Sequence, residues 1–171
     1  MENHHLYFYT ETIEGFKHLL HDDEMKLIIT NSLRYLVQQN LVTVYAFVIM
    51  PNHIHMIWRY DDQNPKESSA GSFAKYTAHE FKKLLSVKDP LLLRQFASVK
   101  RDRSYQFWKR DPLAIPLSSP EALKQRLDYI HANPIKEKWS LCNLPEEYRW
   151  SSAGFYYNGI SEFDFLTNVF N

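Results

Sequence analysis

Residues 45–58 have the sequence YAFVIMPNHIHMIW, in which an apolar run is followed by Pro-Asn and a His-Ile-His triplet. The apolar run from Leu41 to Met50 predicts a central strand, and the Pro-Asn pair predicts a turn into a partner strand over His53–Tyr60. Because side chains alternate along a strand, His53 and His55 face the same way, roughly 6.5 Å apart along it. The segment therefore predicts a hairpin that presents two imidazoles on one face.

Two imidazoles on one rigid surface can bind a single metal ion, because neutral imidazole nitrogen is a common metal ligand. A His-x-His triplet is equally compatible with a pair of half-exposed polar side chains. The triplet by itself leaves both interpretations open.

The rest of the chain predicts two strands, two helices, a loop and an added helix. They are a strand over Leu6–Thr12, a helix from Asp22 to about Gln39, a loop over 61–72, a helix over Phe73–Leu85, a strand over Ser104–Lys109, and a last helix from Ser119 to about Asn133. These predictions follow from residue periodicity and helix-capping signals. The fold class they indicate is α+β, a ferredoxin-like βαββαβ antiparallel sheet with an added C-terminal helix.

The composition indicates one globular domain over residues 1–171. The hydrophobic content is 44%, which is incompatible with a disordered chain. Cys142 is the single cysteine, so a disulfide within the chain is excluded, as is typical of the reducing cytoplasm. Apolar runs are of strand length, which indicates no membrane span. We expect a cytoplasmic domain on which residues 137–171 pack as a C-terminal extension.

Positive charge is concentrated in the middle of the chain, although the net charge is zero. Residues 73–110 contain 10 basic and 3 acidic residues, a net charge of +7. Such a block suits phosphate binding, and rings beside it suit stacking on unpaired bases. The predicted DNA-binding residues here are Lys100, Arg101, Arg103, Tyr105, Trp108, Lys109 and Arg110. Two alternatives stay open, since solvated helix faces also collect lysines and the rings can belong to the core.

The last predicted helix has two adjoining stripes. Its core stripe is formed by Leu123, Leu127 and Ile130. The second stripe contains Arg126, Tyr129 and Asn133, and the last two are one turn apart. Tyr129 can supply a nucleophilic oxygen, and Asn133 can supply one oxygen ligand to a metal. Alternatively, Tyr129 is a half-buried ring and Asn133 is a helix C-cap before Pro134.

Three segments resemble known motifs. Residues 45–55 resemble the HUH signature of single-tyrosine transposases that act on single-stranded DNA. Residues 128–134, DYIHANP, resemble the Tyr-Ile-His-x-Asn-Pro motif of REP-associated tyrosine transposases. Residues 148–153, YRWSSA, resemble the Tyr-x-Trp-Ser-Ser segment of the same family. The motifs occur in the order expected of that family.

The resemblance implies a role for each matching position. His53, His55 and Asn133 would be ligands of Mg²⁺ or Mn²⁺, and Tyr129 would be the nucleophile. Asn133 stands where insertion-sequence relatives carry a glutamine. Arg126 joins the predicted DNA-binding residues. The implied partner is single-stranded DNA with a hairpin, either REP-like or from an insertion-sequence end. Insertion-sequence relatives work as homodimers and REP-associated relatives can act alone, so both states remain open.

The function that follows is metal-dependent cleavage and strand transfer of single-stranded DNA through a 5′-phosphotyrosine intermediate. The first alternative is a non-catalytic module, derived from a transposase, that binds structured single strands. The second is a metal-dependent phosphodiesterase that uses water and forms no protein–DNA link.

Overall fold

The described residues form four β-strands and five α-helices. A computed structural model describes residues 5–60 and 68–171. The strands are β1 (Leu6–Thr12), β2 (Val42–Ile49), β3 (His53–Tyr60) and β4 (Leu113–Leu117). The α-helices are α1 (Asp23–Gln38), α2 (Ser69–Lys88), α3 (Pro90–Arg94), α4 (Pro120–Ala132) and α5 (Ala153–Asn158). The strands form one antiparallel sheet in the order β2-β3-β1-β4, which confirms the predicted α+β class.

The two faces of the sheet pack against different helices. One face holds Ile54 and Trp58 of β3 in a core that includes residues of α1 and α2. The opposite face holds Phe8 and Ile57 in a second core that includes Leu127 of α4. Because side chains alternate along β3, the two histidines lie on the α4 face. The alternation predicted for the hairpin is therefore confirmed.

Helix α4 begins where the sequence predicts. The Ser119 hydroxyl accepts a hydrogen bond from the Ala122 N–H, and Pro120 occupies the first helical position. Both features are typical of helix N-termini. At the other end, the chain continues through Pro134 as a 3₁₀ turn over Asn133–Ile135. This turn directs the following residues back toward the sheet.

The predicted strand over Ser104–Lys109 is wrong. Tyr105 and Trp108 form only isolated bridges, and the fourth strand is Leu113–Leu117. This strand contains Pro116, which usually argues against a strand. Because β4 lies at the edge of the sheet, the proline removes no hydrogen bond that the sheet requires.

The predicted loop over 61–72 is too long at its C-terminal end. Helix α2 begins at Ser69, and the Ser68 hydroxyl caps it by accepting from the Gly71 N–H. The serine cap explains why the helix starts before the apolar spacing that begins at Phe73. Residues 61–67 of that predicted loop lie outside the described residues.

The chain around Trp150–Ser152 covers the free edge of β2. The N–H of Ile49 donates to the Trp150 carbonyl at 2.9 Å, and the N–H of Ser152 donates to the Phe47 carbonyl at 2.9 Å. These bonds satisfy backbone groups that an open edge strand would expose. Within the described residues, no helix has both the length and the apolarity that crossing a bilayer would require.

Candidate active site

Three predicted site residues from β3 and α4 come together on one face of the sheet. The ring centroids of His53 and His55 are 4.7 Å apart, and those of His55 and Tyr129 are 5.3 Å apart. Phe8 packs beside both His55 and Tyr129, at 5.3 Å and 6.0 Å. Tyr129 keeps 37% of its surface exposed, so its ring is open to a bound molecule.

Each histidine is held through its Nδ1 atom. His53 Nδ1 lies 2.6 Å from Asn52 Oδ1, and His55 Nδ1 lies 2.7 Å from the Thr10 hydroxyl. Asn52 also donates from Nδ2 to the Phe16 carbonyl at 3.3 Å, which orients its amide oxygen toward His53. An amide oxygen only accepts, so His53 Nδ1 carries the proton and Nε2 carries the lone pair.

The local environment keeps both imidazoles neutral. Burial, followed by the charges of Lys138 and Lys136, lowers the pKa of His53 to about 4. Burial, then the neighbouring His53 and then Lys136, lowers the pKa of His55 to about 3. Both rings are therefore unprotonated at neutral pH, as a metal ligand requires.

Positive side chains surround the histidine pair. The ammonium of Lys136 lies 3.9 Å from the centroid of the Tyr129 ring. The guanidinium of Arg126 lies 4.5 Å from the centroid of the Phe8 ring, and its charge also lowers the pKa of His55. Such an arrangement favours an anion at the open side of the pair.

Asn133 is deeply buried, in contrast to Tyr129 one turn earlier. It is 2% exposed, and its Nδ2 atom has no hydrogen-bond partner among the described residues. A buried amide without a partner costs free energy, about 1–3 kcal/mol for such groups. The backbone of Asn133 also caps α4, which agrees with the alternative role predicted for it.

The donor set fits a divalent ion in its chemistry. His53 and His55 each offer an Nε2 atom that has no hydrogen-bond partner among residues 5–60 and 68–171. The same residues contain no group of three or more His, Cys, Asp or Glu side chains suited to a metal. A Mg²⁺ or Mn²⁺ ion would therefore need the Asn133 oxygen and oxygens from water or substrate as well.

Two other motif residues join α4 to the sheet. His131 is 2% exposed, and its Nε2 lies 2.8 Å from the Ser152 hydroxyl. The same hydroxyl accepts a hydrogen bond from the Phe47 N–H at 3.0 Å. The motif histidine therefore faces away from Tyr129 and fixes the helix relative to β2.

The predicted DNA-binding residues other than Trp108 separate into three groups. The basic loop (residues 100–110) exposes its cations, which are Lys100, Arg101, Arg103, Lys109 and Arg110. Tyr105 is half-buried, with Lys82 at 5.2 Å from its ring. Arg126 lies instead near the histidine pair, because its guanidinium packs on the Phe8 ring and Phe8 packs on His55.

The prediction that Trp108 stacks on DNA is wrong, because its ring is buried. It is 7% exposed, packs against Phe73 and Phe81, and donates from Nε1 to the Thr77 hydroxyl at 2.8 Å. A ring enclosed in this way cannot receive a base. It belongs to the core, which was the alternative that the sequence left open.

The sequence did not identify four residues around the site. Thr10 reaches His55 only because β1 pairs with β3, and Lys136 and Trp139 approach only after the turn at Pro134. Such contacts leave no local pattern in the sequence. Asn52 was detectable, because a polar residue directly before the first histidine is a natural partner for it.

Comparison with solved structures finds similar proteins. One is described as a REP-associated tyrosine transposase bound to a REP hairpin. The match has a TM-score of 0.64 and 16% sequence identity, and it covers 96% of this chain and 87% of the other. The chain therefore has the fold of a REP-associated tyrosine transposase.

A second match is a proposed transposase from Deinococcus radiodurans R1. It has a TM-score of 0.41 and 17% sequence identity, and it covers 74% of this chain and 88% of the other. Comparison with protein-family models and with curated proteins finds no match.

Proposed function

We propose that this chain cleaves and rejoins single-stranded DNA next to a hairpin, with Tyr129 as the nucleophile. The observation that carries the proposal is the contact between Tyr129 and His55, whose imidazole in turn lies against that of His53. The shared fold with a transposase that was solved on a REP hairpin supports the choice of substrate.

The chemistry assigned to Tyr129 is a phosphoryl transfer. The phenolic oxygen gives its proton to water and attacks phosphorus, while the bond from phosphorus to the 3′ oxygen breaks and that oxygen takes a proton from water. The products are a 5′-phosphotyrosine and a strand that ends in a 3′-hydroxyl. Attack of another 3′-hydroxyl on the phosphotyrosine reverses the step and joins strands. Because the bond energy is kept in the covalent link, no energy cofactor is needed.

The proposed metal ligands are Nε2 of His53, Nε2 of His55 and the side-chain oxygen of Asn133. When bound, Mg²⁺ or Mn²⁺ supplies Lewis-acid stabilisation of charge on the phosphate oxygens. Asn52 fixes the tautomer of His53 that leaves Nε2 free for the metal, and Thr10 orients the His55 ring through its Nδ1 atom.

The proposed DNA path uses the exposed cations of the basic loop together with Arg126. The loop cations contact phosphates away from the site, and Arg126 contacts the strand beside the histidine pair. Phosphate contacts of this kind give affinity and a strong salt dependence without reading the sequence.

Trapping a covalent adduct tests the proposal. Labelled hairpin DNA with a single-stranded flank is incubated with the protein and Mn²⁺, then analysed on a denaturing gel. We expect a protein–DNA band with the wild type, a much weaker band with H53A and none with Y129F. An equally strong adduct with Y129F would refute Tyr129 as the nucleophile.

A second candidate function is a module that binds structured single strands without cutting them. It is favoured by the sparse metal ligand set of the described residues, in which no third His, Cys, Asp or Glu joins the imidazole pair. Binding of the hairpin with equal affinity by wild type and H53A, with no cleavage by either, would support this module.

A further inference from the structure

The chain that follows the tyrosine helix returns to the candidate active site. Lys136 lies over the Tyr129 ring, and Trp139 lies with its ring centroid 5.8 Å from that of His53. Lys136–Trp139, the post-helix segment, therefore lies against both Tyr129 and the histidine pair. None of these residues was predicted to bind DNA.

The two lysines of the post-helix segment carry uncompensated charge. Lys136 and Lys138 are both exposed, and both lower the pKa of His53 through their charge. Neither forms an ion pair with a carboxylate in the described parts of the chain. Glu137 between them is exposed and neutralises neither of them directly. Two unpaired cations beside the site are complementary to a phosphate backbone.

Trp139 differs from the other tryptophans of the chain. Trp58, Trp108 and Trp150 are buried, whereas Trp139 is half-buried between the rings of His53 and His18. The ammonium of Lys138 lies 5.3 Å from its ring centroid. A partly open indole beside cations is the combination that binds a base and its phosphate in single strands.

We propose that the post-helix segment binds the nucleotide that adjoins the scissile phosphate. The Trp139 ring stacks on the base, and Lys136 and Lys138 contact the phosphates on its two sides. The partner is single-stranded DNA, and its position next to Tyr129 rests on the proposed function. Binding by the segment does not require that the strand be cut. The proposal about binding and the proposal about cleavage can therefore be refuted independently.

Intrinsic fluorescence tests the role of Trp139, because it is the tryptophan that solvent and ligand reach. The protein is titrated with a short oligothymidylate and with an abasic strand of the same length. We expect oligothymidylate to quench the emission, and the abasic strand to bind with little quenching because it has no base to stack. Quenching should disappear in W139F, in which the fluorophore is gone and a ring remains.

Affinity measurements on variants test the base and phosphate contacts separately. We expect W139A to bind oligothymidylate about 5- to 150-fold more weakly, the range for removal of one base–aromatic stack. We expect K136Q and K138Q each to lower the slope of log K against log salt by about 0.7. K124Q is the matched control, since Lys124 is an exposed lysine of α4 that pairs with Asp128.

Two results would overturn the proposal. One is quenching that persists in W139F, together with wild-type affinity in W139A. The other is a salt slope that K136Q and K138Q leave as unchanged as K124Q does. If W139A instead forms the Tyr129 adduct with an unchanged KM, the proposed function stands and the binding role of the segment is refuted. If no adduct forms with any variant but the quenching and salt effects occur, the segment binds DNA and the cleavage proposal is refuted.

Discussion

The phenol ring of Tyr129 in α4 and the imidazole ring of His55 in β3 lie 5.3 Å apart, centroid to centroid, with their planes inclined at 65°. The two residues belong to separate motifs that are distant in the sequence. Their contact exists because α4 packs on the sheet face to which the histidines point. The site is thus a consequence of helix-on-sheet packing rather than of either motif alone.

Asn52 is expected to control how well the histidine pair binds a metal. In N52L the acceptor for His53 Nδ1–H is removed, so the imidazole tautomer is no longer fixed. We expect binding of Mn²⁺ alone, measured by calorimetry, to weaken about 10- to 100-fold. The ¹⁵N chemical shifts of the His53 ring should show mixed tautomers in the metal-free variant.

Two control variants accompany N52L in this experiment. N52D keeps an acceptor oxygen and should retain the tautomer, whereas N158L changes an exposed asparagine in α5 and should change nothing. Unaltered His53 shifts and unaltered Mn²⁺ affinity in N52L would show that the hydrogen bond has no positioning role.

Ser152 is expected to contribute to stability through its hydrogen bonds to His131 and Phe47. It is fully buried, so S152A leaves the His131 Nε2 atom without this partner. We expect urea unfolding to report a decrease of about 1–3 kcal/mol in the free energy of unfolding. S86A, at an exposed position of α2, should stay within about 0.5 kcal/mol of the wild type. Equal midpoints for the two variants would contradict the role of Ser152.

Glu11 is expected to make stability depend on pH. Its side chain is buried and accepts a hydrogen bond from the Tyr9 hydroxyl. Burial raises its pKa from 4.5 to about 7, although that hydrogen bond opposes the rise. Because this pKa is higher in the folded chain than in the unfolded chain, the protonated Glu11 side chain stabilises the fold. This contribution is fully present below pH 4.5, the pKa of Glu11 in the unfolded chain. It disappears as the pH rises through about 7, because the unfolded chain releases the proton more readily.

The variant E11Q isolates this effect, because glutamine does not ionise and all other groups cancel in the comparison. Relative to the wild type, its free energy of unfolding should increase between about pH 5 and about pH 8, by on the order of 3 kcal/mol. Urea unfolding at the two pH values measures the difference. A constant difference between the two proteins would contradict the raised pKa of Glu11.

Mutations in the basic loop are expected to weaken DNA binding, whereas a mutation of Trp108 is expected to lower stability. Replacing Lys100, Arg101 and Arg110 by glutamine should weaken DNA binding and lower its salt slope, by about 0.7 for each phosphate that the variant no longer neutralises. W108F should leave DNA affinity unchanged and lower stability, because it removes the hydrogen bond to Thr77. Weaker DNA binding by W108F would show that Trp108 contacts DNA, contrary to the core position given by its burial.

The sheet could be predicted from sequence where the local pattern is strong. The strands Leu6–Thr12 and His53–Tyr60 have the predicted bounds, because aromatic and β-branched residues alternate between clear turn signals. The strand Leu113–Leu117 was missed because Pro112 and Pro116 flank and interrupt it. Its position at the sheet edge, which makes proline tolerable, is a property of the assembled sheet and not of the segment.

The candidate site could be predicted in its parts but not in its surroundings. Strand alternation alone places His53 and His55 together, and helix spacing alone places Tyr129 near Asn133. The contact between the two pairs depends on how α4 crosses the sheet, which no local pattern encodes. The difference in burial between Tyr129 and Asn133 depends on the same packing.

Locating the covalent bond to DNA tests Tyr129 as the nucleophile most directly. Trypsin releases Tyr129 in a peptide that spans Leu127 to Lys136, in which it is the single tyrosine. After cleavage of hairpin DNA with Mn²⁺ and digestion with trypsin and nuclease, mass spectrometry should find this peptide with a nucleotide attached at Tyr129. A nucleotide attached elsewhere, or cleaved DNA with no attached peptide, would contradict the account.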